Sequence, residues 1–485
     1  MNSVTQPNYE RSDLTVGIVH FGVGNFHRSH QAMYLDRLFN AGKARDWAIC
    51  GVGVLPSDIR MRDALGSQGM RYTLVERYPD GTAPARTIGS IAEYLFAPDD
   101  PEAVFEKLAD PAVRIVSLTI TEGGYNVGDD TGEFDLDEPV VVADLQDGAV
   151  PTTVYGIVAE GVRRRRDRGI APFTVMSCDN LPGNGYVARQ SFVAFARAKD
   201  VDLGEYMARE VAFPNSMVDR ITPVTGPDER AFVKDHYGVI DAWPVVSEGF
   251  AQWVLQTRFT LGRPPYEDVG VQVVDDVLPY EEMKLRLLNA SHQALAYVGY
   301  LSGHRFAHEA AMDPLIASLV TRYMTEEAVP TLDPVPGVDL DDYQQSLMDR
   351  FANVHVRDTL LRLATDGSDR IAKFVLPVVR DRIAAGESVE LAAAIAASWA
   401  TFARGVDEYG ERIPMIDRQL DAVRHIVAEA DDDPERFLSA GAAVFGGLAT
   451  EPVFVTPFVR AYRLIREFGA QRALDELVGT PITTS

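Results

Sequence analysis

Residues 15–39 read TVGIVHFGVGNFHRSHQAMYLDRLF, a short β-branched run, a glycine turn and a helical pattern in immediate succession. Strand, tight turn and helix in that order let Gly22 and Gly24 bring the backbone close to a pyrophosphate while the helix N-terminus faces its charge. The general fingerprint carries a third glycine, and here Asn25, Phe26 and His27 follow Gly24 instead. A lone GxG is weak evidence by itself, so the neighbouring segments decide the reading.

Those segments point the same way. WAICGVGVL at 47–55 reads as a second strand that ends in Pro56-Ser57-Asp58, a carboxylate where an adenosine ribose needs an acceptor and where a 2′-phosphate would be repelled. Asp58 therefore favours NAD, with NADP the alternative, and it equally suits the N-cap of the helix IRMRDAL. RYTLVER (71–77) and RTIGSI (86–91) form a hairpin around Pro79, Asp80 and Gly81. After the helix PEAVFEKLA, the Val, Ile and Thr content of VRIVSLTITEGGY (113–125) predicts an inner parallel strand. Its end carries Thr121 and Glu122, where an open α/β sheet holds its ligand, a plain turn being the alternative. FTVMSCDN (173–180) ends in Asp179-Asn180 before the loop LPGNG, so Asn180 suits either a binding amide or the cap of the next helix. VAFPNSMVDRITPV (211–224) reads as a polar loop with Asn215, Asp219 and Arg220, EGFAQWVLQTRF (248–259) as site wall or core, and VGVQVVDDV (269–277) as a last strand.

Beyond Pro279 the pattern turns almost wholly helical, over 312–325, 340–352, 356–365, 388–404, 415–430, 434–447 and 455–468. Alternating strands and helices followed by helices alone predict an α/β architecture. Residues 1–278 form a Rossmann-type dinucleotide-binding domain with added strands, and 279–485 a mainly α-helical domain.

The second domain opens with PYEEMKLRLLNASHQALAYVGYLSGH (279–304), a helix that starts at Pro279 and has Glu281 and Glu282 in its first turn. Lys284, Asn289 and His292 are set into its apolar pattern. At about 100° per residue, Asn289 lies about 140° and His292 about 80° around the helix from Lys284, so the three share one broad side. Burying a lysine, an amide and an imidazole without partners costs on the order of 1 to several kcal/mol each, which implies a ligand or compensating contacts. Desolvation and the helix dipole favour a neutral, basic Lys284, while the two glutamates oppose this. A snorkelling surface lysine is the alternative. Eight residues of helix rise about 12 Å, so His292 is expected to serve groups away from the atom that Lys284 reaches.

Composition limits the remaining classes. The 485 residues are 46% hydrophobic and 24% charged, ordinary for a globular protein. A net charge of −25, from 46 basic and 71 acidic residues, disfavours nucleic acid and anionic membrane surfaces. MNSVTQPNYERSDL lacks a charged segment followed by an apolar run, and no stretch approaches the roughly 20 apolar residues of a span, so a cytoplasmic protein with no membrane partner is expected. Cys50 and Cys178 lie in apolar runs and read as core thiols. GVRRRRDR, within the helix 151–168, reads as a solvated face in so acidic a chain. His304 and His308 have the i, i+4 spacing of a metal pair, but no third ligand follows a pattern, so no metal is expected. Arg357, Arg362, Arg370 and Lys373 could hold hydroxyls or a carboxylate, or be surface charge.

Five runs, GVGNFHRSHQ, LTITEGGYN, SCDNLPGNG, FPNSMVDRITP and KLRLLNASHQALAYVG, occur in this order within residues 21–304. Together they resemble the mannitol dehydrogenase family, polyol-specific long-chain dehydrogenases, and compatible helices extend the likeness to about residue 470. The absent third glycine belongs to the family pattern GxGxFxR, here Gly22 to Arg28. The resemblance implies zinc-independent, reversible, NAD(P)-linked oxidation of a secondary alcohol in an acyclic sugar alcohol, D-mannitol to D-fructose being the leading pair. It implies a cofactor site of Phe21, Gly22, Gly24, Asn25, Phe26 and Arg28 with Asp58, Thr121 and Glu122. It makes Lys284 the general base, Asn180 and Asn289 hydrogen-bond donors to the developing alkoxide, and His292, Asp219 and Arg362 substrate ligands, Arg362 being hard to align because Arg357 lies near. Family members are often monomers, so a monomer is expected. Glu281, one turn before Lys284, could relay its proton to solvent; an unchanged pH profile in Glu281→Gln would end that idea. The alternatives are a fructuronate or tagaturonate reductase, a pentitol (arabinitol) dehydrogenase, and a catalytically silent nucleotide-binding regulator. The joint presence of Lys284, Asn289 and Asn180 argues against the last.

Overall fold

The computed structural model describes residues 2–128 and 132–479. The chain divides into two compact units, Met1–Leu278 and Pro279–Ser485.

The first unit is built on five strands, β1 (Val16–Phe21), β2 (Ala48–Gly53), β3 (Ile91–Phe96), β4 (Ile115–Leu118) and β5 (Thr174–Ser177). They lie in the order β3-β2-β1-β4-β5 and every pair is parallel. Alternate residues supply two cores: Val19, Val116 and Val175 pack with Phe105, Val158 and Phe192 on one face, while Ile18, Ile49 and Ile115 pack with Met33, Leu35 and Leu38 on the other. A sheet covered on both faces explains the near-continuous apolar runs of its strands. The strand order reverses between β1 and β4, which opens a crevice at the carboxyl ends of these two strands.

Two smaller sheets are added to this one. In the first, Val4–Thr5, Ala85–Ile88, Tyr72–Arg77 and Val245–Glu248 lie side by side, and the expected hairpin is present as the antiparallel pair Tyr72↔Ile88. In the second, Gln272–Val274, Gln252–Gln256 and Ser216–Asp219 are neighbours. The segment 211–224, expected as a loop, therefore contains a strand, since Ser216–Asp219 pairs antiparallel with Gln252–Gln256 and is buried throughout. Four residues with polar ends give no readable alternation. β3 is also unanticipated, since the hairpin run 86–91 ends at Ile91, where this strand begins. β4 stops at Leu118 rather than near Tyr125, because the amides of Ile120 and Thr121 turn away to a carboxylate described below.

The second unit is helical. Ala290–Leu301 is buried along its whole length and packs against Glu390–Phe402, which in turn packs against Pro452–Phe468. The expected helix 356–365 shrinks to Leu360–Leu363, because Arg357 takes a left-handed φ of 54° just before it. The run 279–303 is not one α-helix. Leu278–Met283 and Ala290–Leu301 flank a π-helical segment, Lys284–Asn289. Two further π segments, Tyr323–Ala328 and Ile371–Val375, both contact it. Among the described residues no single helix is long and apolar enough to cross a membrane.

Cys50 and Cys178 are buried free thiols. The basic run departs in one position from a solvated face. Arg163, Arg164, Arg166 and Arg168 pair with acids on the surface, but Arg165 is fully buried and donates to the carbonyls of Leu108, Asp110, Val113 and Ala171.

Candidate active site

In the first unit the carboxyl ends of β1, β2, β4 and β5 carry the sequence-identified residues. Phe21 closes β1 and is fully buried, so only its backbone borders the turn. Gly22 has φ 89°, and a Cβ there would lie 2.0 Å from the Thr119 carbonyl oxygen. Only glycine fits that position, for reasons internal to the fold. Gly24 is different. Its φ is −101°, open to any residue, and the nearest atom to an added Cβ is Gly22 O at 3.8 Å. Neither strain nor packing requires glycine at 24, and the space kept free is where a pyrophosphate would approach the turn. That open cradle at the reversal of a parallel sheet fits a dinucleotide.

Asn25, Phe26 and Arg28 support the turn from behind. Asn25 Nδ2 donates to Pro223 O and Thr225 Oγ1, both at 2.9 Å, and Phe26 stacks on His30. Arg28 is fully buried beneath Tyr72, donating to Gly24 O, Trp243 O and Asn25 Oδ1. Its guanidinium braces the loop from inside. Asp58 at the end of β2 is half-buried, and its Oδ2 accepts from the Val54 and Leu55 amides at 3.0 Å. It closes the β2 turn and does not cap the helix Ile59–Ser67.

At the ends of β4 and β5, Thr121 has φ 64° and ψ 169°, a region almost reserved for glycine. Its side chain is exposed, and half-buried Glu122 begins the turn Glu122–Tyr125. Asp179, 7% exposed, accepts from Thr121 N at 2.9 Å, Ile120 N at 3.1 Å and Tyr125 Oη at 2.7 Å. Burial pushes its carboxyl up to about 6, against the pull of those three donors. Exposed Asn180 follows; the next helix starts at Asn184 behind Gly183, so Asn180 is not its cap. Asp219, which ends the strand Ser216–Asp219, is buried. Its neighbour Arg220 is structural: it donates to Glu76, Ser29 O and Glu248 O in the interior.

In the second unit Lys284, Asn289 and His292 are buried, at 7%, 6% and 9% exposure. A π turn joins residue i to i+5, so Lys284 and Asn289 come round to the same side of the helix, where 100° per residue set them about 140° apart. His292 lies in the α-helical part beyond and packs on Phe351, ring centroids 4.9 Å apart. Burial, then the charges of Arg362, Arg350, Arg370 and Lys284, hold its imidazole well below the ordinary range, hence neutral. The Asn289 carbonyl accepts from Gln293 Nε2 at 3.4 Å, and Gln293 Oε1 accepts from Tyr297 Oη at 2.7 Å. Glu281, one turn before Lys284, is buried as well.

Arg362 forms a two-pronged pair with buried Asp358. Arg357 lies over Phe306, Arg370 donates to Leu363 O, and Lys373 pairs with Asp369. His304 and His308 do not form a metal pair. The helix begins only at Ala307, His304 meets Asp313 at 3.3 Å, and His308 stacks on Phe306. Among the described residues no group of three or more His, Cys, Asp or Glu side chains is placed to hold a metal ion. Gln293, Tyr297 and Asp358 drew no reading from the sequence, and Asp179 drew one only as half of the polar pair that ends its strand.

These two sets of residues fall within two family models, the mannitol dehydrogenase Rossmann domain over residues 16–268 and the mannitol dehydrogenase C-terminal domain over 276–466. The chain is 43% identical to mannitol 2-dehydrogenase from Cereibacter sphaeroides over 97% of its length and 98% of the relative's. Among solved structures, Pseudomonas fluorescens mannitol 2-dehydrogenase in ternary complex with NAD and D-mannitol matches with TM-score 0.93 and 45% identity, covering 99% of this chain and 98% of that one. A substrate-free D-sorbitol dehydrogenase matches with TM-score 0.86 and 39% identity, covering 97% of each. With both domain models matched and relatives aligned from end to end, the chain belongs to the mannitol dehydrogenase family.

Proposed function

We propose that this protein is an NAD-dependent polyol dehydrogenase that oxidises D-mannitol to D-fructose and runs in reverse. The observation that carries the substrate is the likeness to the NAD and D-mannitol complex at 45% identity over almost the whole chain. The cofactor is supported by the cradle at Gly22 and Gly24, with Asp58 at the end of β2 and Thr121 and Glu122 beyond β4. When bound, NAD supplies the acceptor for the hydride.

Lys284 takes the hydroxyl proton, a role supported by its burial on the same helical run as Asn289 and His292. Asn289, at the far end of the same π segment, and Asn180 donate hydrogen bonds to the alkoxide as charge develops, a contribution of roughly a few kcal/mol per donor. Neutral His292 offers one donor and one acceptor, which suits a substrate hydroxyl. Asp219 accepts from a second hydroxyl, and Arg362, fixed by Asp358, donates to a third. Arg370 and Lys373 already engage a carbonyl and an acid, which favours a neutral polyol over an aldonate. We take the enzyme to act as a cytoplasmic monomer on this small substrate.

The test is NAD reduction, read at the reduced nicotinamide band, across mannitol, sorbitol, arabinitol, mannonate and altronate. Highest kcat/KM on mannitol supports the assignment. A preference for sorbitol or arabinitol would move the substrate within the polyols, activity only on the aldonates would move the protein to the uronate reductases, and inactivity on all with either cofactor would support the silent regulator.

A further inference from the structure

Thr121 combines a β-branched side chain with φ 64° and ψ 169°. Such a conformation persists only where surrounding contacts over-determine it, and it gathers at functional sites. Its neighbours show what holds it. One buried carboxylate, Asp179, receives the Ile120 and Thr121 amides on separate oxygens and the Tyr125 hydroxyl besides. Asp179 is itself fixed at both backbone ends. Its carbonyl accepts from Asn184 Nδ2 at 2.9 Å, and its amide donates to Ser177 Oγ, which lies 2.6 Å from Tyr125 Oη. Asn184 is tied in turn to both backbone groups of Ser216. The loop after β4 is thus clamped to the tip of β5 at the residue just before Asn180.

We infer that Asp179 is a positioning residue that sets the Ile120–Glu122 loop and Asn180 for the nicotinamide half of the cofactor. The assignment rests on the NAD-dependent reading above. β4 and β5 form the second half of the sheet beyond the reversal, while Gly24 and Asp58 serve the adenosine and pyrophosphate on the other half. Its effect is therefore confined to the nicotinamide end.

The change that isolates it is Asp179→Asn, which keeps the shape and removes one acceptor. However the amide is turned, its NH2 confronts a backbone N–H from Ile120 or Thr121. The experiment titrates wild type and variant with NADH and with ADP-ribose, which lacks the nicotinamide, alongside thermal melting. Expected is a loss of NADH affinity of about tenfold or more with ADP-ribose binding held within about twofold. Equal weakening of both ligands would make Asp179 a general fold residue and overturn the inference, as would no change in either. Wild type that binds neither ligand would remove the cofactor reading itself before the variant is tested. Should Asp179→Asn fail to fold, Tyr125→Phe deletes one of the three donors and leaves the carboxylate. It should weaken NADH alone by about two- to threefold, and an unchanged NADH affinity there refutes the clamp.

Discussion

Adding one methyl group at Gly24, and the same group at Gly22, should damage the protein in two different ways. At Gly22 the fold itself objects, since φ is 89° and the new Cβ would lie 2.0 Å from a backbone oxygen of Thr119. Left-handed strain of about 1–2 kcal/mol and overpacking of about 1–3 kcal/mol combine to about 2–5 kcal/mol. For a unit of this size that lowers Tm by on the order of 10 °C. At Gly24 the backbone is relaxed and the nearest neighbour is 3.8 Å away. Gly24→Ala should melt at or slightly above the wild-type temperature, because alanine at a compatible φ stabilises by about 0.4–1 kcal/mol. Its methyl nevertheless occupies the space kept for the pyrophosphate, so NAD affinity should fall by about tenfold or more. Paired melting curves and NADH fluorescence titrations read both quantities. Gly24→Ala with unimpaired NAD binding would refute the cradle, and Gly24→Ala that melts like Gly22→Ala would refute the packing argument.

Two stability predictions follow from buried carboxylates. Glu327 caps the helix Glu390–Phe402 by accepting from Leu391 N and Ala392 N, and burial pushes it up to about 7. The folded chain therefore holds this proton more tightly than the unfolded one. Its contribution of about 3 kcal/mol is complete below pH ~4.5 and fades as pH rises towards 7; denaturant melts from pH 4 to 8 should show that slope, and Glu327→Gln should flatten it. Glu76 takes charge-assisted contacts from Arg37, Arg86 and Arg220 in the interior, which outweigh the upward push of burial and leave its carboxyl below the usual range. Glu76→Gln leaves Arg220 uncompensated and should lower stability by about 3–5 kcal/mol, read as a drop in the urea midpoint; a midpoint unchanged from wild type would contradict the hub.

The parts of this fold legible in the sequence are those decided locally. Val16–Phe21, the Gly22 turn and the helix after it follow from β-branching, glycine and apolar period, and the shift to helical periods beyond Pro279 is as plain. What stayed hidden depends on distant partners. Thr121 adopts its conformation because a carboxylate 58 residues later holds its amide. Arg28 and Arg165 lie inside because loop carbonyls converge on them, against the ordinary expectation that arginine is exposed. Asp58 reads as an acceptor for ribose or as a cap, yet one of its oxygens closes the β2 turn. The candidate base and its partner amide were found by residue type, but their alignment was not, because the 3.6-residue period fails over Lys284–Asn289.

We propose Lys284, on the same π segment as Asn289, as the base for a polyol oxidation. The direct measurement is single-turnover NAD reduction with saturating D-mannitol by wild type and Lys284→Ala, with melting temperature and NADH affinity recorded on both. Expected for Lys284→Ala is loss of the rate constant by about 10²–10⁴-fold, with folding and NADH binding preserved. A variant that reduces NAD at the wild-type rate, or a wild type that never reduces it with any polyol, would contradict it.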